Sequence, residues 1–321
     1  MTDYLVRRLI LLVVTLLGGS ALLFFAMRLL PPRDAIDLQV PPQTPNAEET
    51  KEALRRQLGL DGPLYRQYLD WLKGFFTGDW GKSLHSHRPI LQELKDRIPV
   101  SFELGIIGLF FTWVISMLLG IVSALHQDRP LDYVLRTLAY ALDAVPPLLL
   151  GVLLLTYLAV NFSWAPPPTF SYFWDDPVRH MKIMLLPTLV IGVTSAGNLV
   201  RFTRTFLLEV LRQDYIRTAR AKGLSEGVVL VRHALRNVAI PFITVLGATV
   251  PTLLTSSVII ENLFNLPGMG RYTFQALINL DYPVFVTTTT FYALVILTSQ
   301  LVTDLAYTWV DPRVSYARGT P

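Results

Sequence analysis

Few side chains in this sequence are placed to do chemistry. Asp143 stands alone in an otherwise uncharged run from Thr137 to Phe162. A carboxylate at mid-membrane costs about 2.5–3.5 kcal/mol on insertion scales, so it must face protein or water. Two readings follow: an ion pair with Arg136, two helical turns back on the same face, at a kink made by Pro146 and Pro147, or a polar step in a solute path. Hydroxyls gather at Thr249, Thr252, Thr255, Ser256 and Ser257 around Pro251, and again over Thr287–Thr290. They either line such a path or let helices pack closely. His85 and His87 lack the further ligands that a zinc site needs. Gly81-Lys82-Ser83 mimics the end of a phosphate-binding loop, but Phe76 stands where its first glycine belongs. With no His-Glu-x-x-His motif, no Gly-x-Ser-x-Gly elbow and no cysteine, the sequence points to binding and passage rather than to bond breaking.

The elements that must position these residues are membrane spans. At 321 residues the length alone suggests two domains, but 52% of residues are hydrophobic, 16% are charged, and the mean hydropathy is +0.43, which removes the chain from the soluble class. Basic residues form no aromatic-interleaved stripe, so nucleic-acid binding is not indicated. Uncharged runs at Leu9–Met27, Leu104–Leu125, Thr137–Phe162 apart from Asp143, Ile183–Val200, Ile240–Ile260 and Val284–Thr303 are each long enough to cross about 30 Å of hydrocarbon. The first run continues into Arg28 and Pro31 without a small-residue cleavage pattern, and is read as a retained span. Six spans and an N-terminus inside put both termini in the cytoplasm, with the HQDRPLD turn and the loop 201–239 on the same side. That loop holds eight Lys or Arg against three acids, while the outward loops 163–182 and 262–283 hold three basic residues together. The boundaries expected are 1–30 for the first span, 31–98 for an outward helical insertion, and 99–321 for a five-helix core.

Within the insertion, Asn46 and Glu49 have capping-box spacing, Leu64, Tyr68, Trp71 and Phe75 recur on one helical face, and Pro89 opens a short helix ending before Pro99. The face suits a lid packed on the span ends, or a docking contact. Asp304 falls near the inner interface at the end of the sixth span.

In the basic loop, Arg201–Val210 continues the fourth span. Asp214, Tyr215, Ile216, Arg217, Thr218, Ala219, Arg220, Ala221 and Lys222 form a short helix stopped by Gly223, which can take positive φ as a C-terminal cap. Ser225 and Glu226 begin the next helix, which runs to Asn237 before Pro241 opens the fifth span. From spacing alone, the small and basic residues fit either acidic groups of a partner or anionic lipid headgroups.

The segment DYIRTARAKGLSE followed by HALRNVAIP resembles the cytoplasmic loop that permeases of the dipeptide and oligopeptide family of binding-protein-dependent ABC importers insert into their ATPase subunits. The likeness extends through LGLDGPLYRQYLDWLKGFFTGDWGKSL, ENLFNLPGMG, DYP at Asp281–Pro283 and DPR at Asp311–Arg313, in order along nearly the whole chain. Arg217, Thr218 and Ala219 stand where importers in general carry an acidic residue and two alanines. The resemblance implies an all-α membrane protein of the type I importer permease fold, six helices with a helical insertion between the first two. It also implies a heteromeric assembly in the cell membrane: a sister permease, two ATPase subunits that hold ATP and Mg, and an extracytoplasmic binding protein. In that setting Asp214–Gly223, with Ser225 and Glu226, couples to the ATPases, and Asp143, Thr249, Thr252, Thr255 and Ser256 are candidates for the translocation path. No cofactor or metal is expected on this chain itself. The alternative class is a stand-alone ion-coupled secondary transporter or channel, which calls for several ionisable residues on facing spans, where only Asp143 lies deep. Substrate choice among dipeptides, oligopeptides, nickel chelates and sugars rests largely with the binding protein.

Overall fold

A computed structural model describes residues 2–29, 46–57 and 61–310, with the single positions 36, 40 and 43. The terminal Asp311–Arg313 motif lies outside the described residues. In chain order the helices are α1 (Thr2–Leu29), α2 (Ala47–Gln57), α3 (Leu64–Thr77), α4 (Ile90–Leu125), α5 (Pro130–Ala144), α6 (Pro147–Phe162), α7 (Pro177–Leu211), α8 (Asp214–Ala221), α9 (Arg236–Ala248), α10 (Val250–Leu263), α11 (Met269–Ile278) and α12 (Tyr282–Val310). Five stretches are long and apolar enough to span a bilayer, and α5 with α6 makes a sixth if that bent pair counts as one.

The bend is 102°, so Thr137–Phe162 is built from two helices broken at a sharp angle rather than from one continuous kinked helix. Val145 (ψ 119°) and Pro146 (ψ 138°) are both extended, because each precedes a proline whose ring excludes the α region. Pro147 then restarts the helix at its first position, where a missing N–H costs nothing.

Two other prolines have less effect than expected. Pro99 lies inside α4, which runs unbroken from Ile90 to Leu125, so the short helix expected to end before it does not exist as a separate element. Pro241 opens the apolar stretch Pro241–Leu263, as expected, but it lies inside α9 rather than at a helix start; Glu226–Val228 leads through a π-helical stretch, Val229–Leu235, directly into α9. Each proline removes one backbone hydrogen bond. Buried neighbours, Val100 and Ser101 around the first and Val238 and Phe242 around the second, hold the chain helical despite that loss. At the insertion, α2 starts where expected, but Asn46 has φ 55°, and its carbonyl accepts from Thr50 N and Oγ1 at 3.0 and 3.1 Å.

Two compact units can be described, residues 1–100 with 267–298 and residues 101–266 with 299–321. In the first, the expected face of α3 is observed. Tyr68 packs on Phe24, Trp71 on Phe75 and Phe75 on Trp80, at 5.4–5.6 Å between ring centroids. Trp71 Nε1 donates to Thr287 Oγ1 of α12 at 3.0 Å. The buried Ser83, from the rejected phosphate-loop motif, donates to Asp281 Oδ2 at 2.5 Å.

In the second unit, glycines let helices meet backbone to backbone. A Cβ on Gly197 of α7 would collide with the Ala139 carbonyl oxygen and lie 2.9 Å from Asp143 Cβ and 3.0 Å from Asp143 N. Backbone cannot yield as a flexible side chain does, so Gly197→Ala is expected to cost about 1–3 kcal/mol, as overpacking does. Thermal unfolding of the purified protein in detergent checks this. Gly105→Ala, where a Cβ meets nothing within 4 Å, is the control expected to leave the midpoint unchanged or raise it.

Candidate functional site

Helix α8 is short, polar outside and anchored from below. Ile216 and Ala219, one turn apart, are buried in a cluster with Ala124, Leu207, Val229, Ala234 and Val238. The remaining positions, Asp214, Tyr215, Arg217, Thr218, Arg220, Ala221 and Lys222, are exposed. Gly223 takes φ 76°, and a Schellman closure follows: Gly223 N donates to Arg220 O at 2.9 Å and Leu224 N to Ala219 O at 3.4 Å. Arg220 then grips Glu226 with two hydrogen bonds, 2.8 and 3.1 Å, and this pairing holds the Glu226 carboxyl below its usual range. Ser225, extended at ψ 148°, precedes the next helical turn. Asn237 Nδ2 donates to Tyr215 Oη at 3.0 Å. The result is a braced knob that presents Arg217, Lys222 and Thr218 outward.

The knob is the immediate continuation of α7, and α7 is pinned by a node that sequence reasoning missed. Arg204 donates to both oxygens of Asp132, from Nε at 2.8 Å and Nη2 at 2.7 Å. Ser123 Oγ and Asp128 N add bonds of 2.5 and 3.0 Å. Asp132 is fully buried. One signal was available: Arg204 follows Val200 by one turn in an apolar stripe whose next member is Leu207, and a charge there requires a partner.

Asp143 pairs with Arg201 of α7 at 2.9 Å. The expected partner, Arg136, instead stacks over the Tyr133 ring at 5.6 Å. Two turns of helix separate Arg136 from Asp143 by about 10 Å, whereas α7 crosses α5 at Gly197 and brings Arg201 alongside. Arg201 also bonds Asn198 Oδ1 at 3.2 Å and lies over Tyr140 at 4.6 Å.

Beside this pair opens a cavity of about 450 Å³, bounded by the Val145–Pro146–Pro147 break and lined by Asp143, Thr194, Ser195, Asn198, Thr249, Thr252 and Ser256. Four of the five candidate path residues are therefore brought together. The fifth, Thr255, is exposed and bonds Pro251 O, and Ser257 is buried and bonds Leu254 O. The second hydroxyl run packs elsewhere: Thr287, Thr288 and Thr290 are buried and do not border this cavity. A small-residue and hydroxyl lining with one balanced ion pair offers hydrogen bonds to a polar solute without a deep apolar anchor. Glu261, buried and accepting from Ser101 Oγ at 2.6 Å, is a further polar residue that hydropathy did not single out. Asp304 is half-buried on α12. Among the described residues no three His, Cys, Asp or Glu side chains cluster as metal ligands; His85 and His87 are exposed.

Comparison with known proteins gives a consistent result. Residues 116–316 match the model of the binding-protein-dependent transport system inner membrane component, and residues 1–105 match the N-terminal model of such membrane components. The dipeptide transport system permease protein DppB of Bacillus subtilis is 37% identical, covering 98% of both chains. The oligopeptide transport system permease protein AppB of the same organism is 33% identical over 98% of this chain and all of its own. Among solved structures, a chain of the MetNI methionine ABC transporter superposes with a TM-score of 0.56 at 16% identity, covering 69% of this chain and 97% of that one. That likeness supports the fold alone.

Proposed function

Because this chain belongs to the family of binding-protein-dependent transport system inner membrane components, we propose that it is one of two permease subunits of an ATP-driven importer of peptides or related small solutes, coupled to cytoplasmic ATPases through α8. The peptide assignment is taken from the 33–37% identical relatives. A binding protein delivers solute from outside, a sister permease completes the path, and two ATPase subunits bind and hydrolyse ATP with Mg. Both termini and the loop 201–239 face the cytoplasm, in keeping with the basic excess of that loop. The family places the chain as a multi-pass protein of the inner membrane, which disfavours a stand-alone ion-coupled transporter.

The observation that carries the proposal is continuity: α7 borders the polar cavity with Thr194, Ser195 and Asn198 and ends at the braced knob. When the ATPases close they displace α8. The Gly223 cap and the Arg220–Glu226 clasp keep α8 from unwinding, so the motion passes into α7 rather than dissipating in the loop. About three to four turns back along α7 from Leu211, Arg201 and Asn198 shift with it, together with the α5–α6 break, and the cavity changes its accessible side.

The native chain contains no cysteine, so Thr218→Cys gives a single reactive position. In inverted vesicles it is expected to react with a membrane-impermeant maleimide, and ATPase subunits are expected to protect it. Reaction from the opposite face, or no protection by ATPases, contradicts the assignment.

A further inference from the structure

Helix α3 divides its circumference into three stripes. Tyr68 and Trp71 face α1 and α12, and Phe75 packs on Trp80, as described. Arg66, Asp70 and Lys73, spaced at helical intervals, form an exposed polar stripe. Between them runs a second apolar stripe, Tyr65, Leu69 and Phe76, which is 65%, 56% and 65% exposed. A lid surrounded by water has no reason to carry such a stripe.

The contacts of α3 fix its depth. Tyr68 Oη donates to Leu17 O at 3.1 Å and shares a 3.0 Å hydrogen bond with Ser20. Leu17 lies well inside the apolar stretch Val6–Leu29, about 16 Å along the helix from Arg28 at 1.5 Å per residue. Arg28, the first charge after the uncharged run Leu9–Met27, sets the expected level of the membrane surface at this end; its guanidinium lies over the Tyr282 ring at 4.0 Å. A tyrosine that reaches Leu17 from a ring packed on Phe24 places the axis of α3 below the Arg28 level. In α1 the same apolar stretch carries exposed side chains of its own, such as Leu22 at 69% exposed.

We propose that α3 lies in the interfacial layer of the leaflet at the Arg28 end of α1, with Tyr65, Leu69 and Phe76 in the acyl chains and Arg66, Asp70 and Lys73 toward the headgroups. An amphipathic helix in this position buries its apolar face about 5–10 Å into the headgroup–acyl boundary. This goes beyond the transport reading: it makes the segment between the first two spans a membrane anchor rather than a free lid.

The test uses the assembled transporter in lipid nanodiscs, with nitroxide labels on Leu69→Cys, Phe76→Cys, Arg66→Cys and Lys73→Cys in turn. Collisional relaxation is measured with oxygen, which partitions into lipid, and with a water-soluble nickel chelate. Oxygen is expected to dominate at 69 and 76 and nickel at 66 and 73. Nickel dominance at 69 and 76 overturns the proposal in favour of a water-exposed lid, and exclusion of both reagents overturns it in favour of a protein partner. Tyr65→Cys repeats the measurement on the same stripe, so that one poorly folding variant does not decide the outcome.

Discussion

Replacing Gly223 by valine is expected to leave the permease inserted in the membrane while lowering uptake about tenfold and raising the ATP hydrolysed per solute moved. The backbone at Gly223 has φ 76°, a region that costs an L residue about 1–2 kcal/mol and a β-branched one more. A Cβ there meets nothing within 4 Å, so the penalty is purely conformational and falls on the Schellman closure that ends α8. A cost of about 1.4 kcal/mol lowers the population of the closed cap tenfold. The surrounding cluster of Ile216, Ala219 and Val229 is untouched, and for that reason insertion and folding survive. Gly223→Asn, tolerated in the left-handed region, should retain much more transport. Gly227→Ala, also free of neighbours but within a helical turn, is expected to be silent. Uptake and ATPase rates in proteoliposomes containing all subunits provide the check. Wild-type uptake by the valine variant would show that the cap does not transmit force.

The largest effect on stability is expected from Arg204→Gln. It leaves Asp132, fully buried, with Ser123 Oγ and Asp128 N but without its guanidinium partner. An uncompensated buried charge costs about 3–5 kcal/mol. The burden falls on the turn between α4 and α5, which Asp132 ties to α7, so the thermal midpoint should drop more than for any surface charge in the 201–239 loop. Replacing the pair together, Asp132→Asn with Arg204→Gln, is expected to recover part of the loss, because the stranded charge is removed. The coupling energy of the double-mutant cycle measures the pair itself. An unchanged midpoint for Arg204→Gln would mean that the node carries no structural load.

Much of this architecture is legible in the amino-acid order. The uncharged runs identify the spans because lipid admits no unsatisfied backbone and few charges. Gly223 reads as a helix stop, because few other residues reach positive φ at low cost. The Leu64, Tyr68, Trp71 and Phe75 spacing reports which face of α3 is covered. Four of the five candidate path residues do border one cavity, since hydroxyls and a lone carboxylate in apolar runs must find one another, water or a solute.

What the order of residues by itself determined is local: where helices can exist, where a proline pair must break one, and where a glycine must end one. Only the tertiary structure decided which helices survive Pro99 and Pro241, that Asp143 meets Arg201 rather than Arg136, and that Asp132 and Arg204 are one unit. The physical reason is that backbone rules act over a turn or two. Ion pairing and proline tolerance depend instead on what another helix brings within about 4 Å, and that is set by the close approach of α4 and α5 to α7 at glycines of α4 and α7.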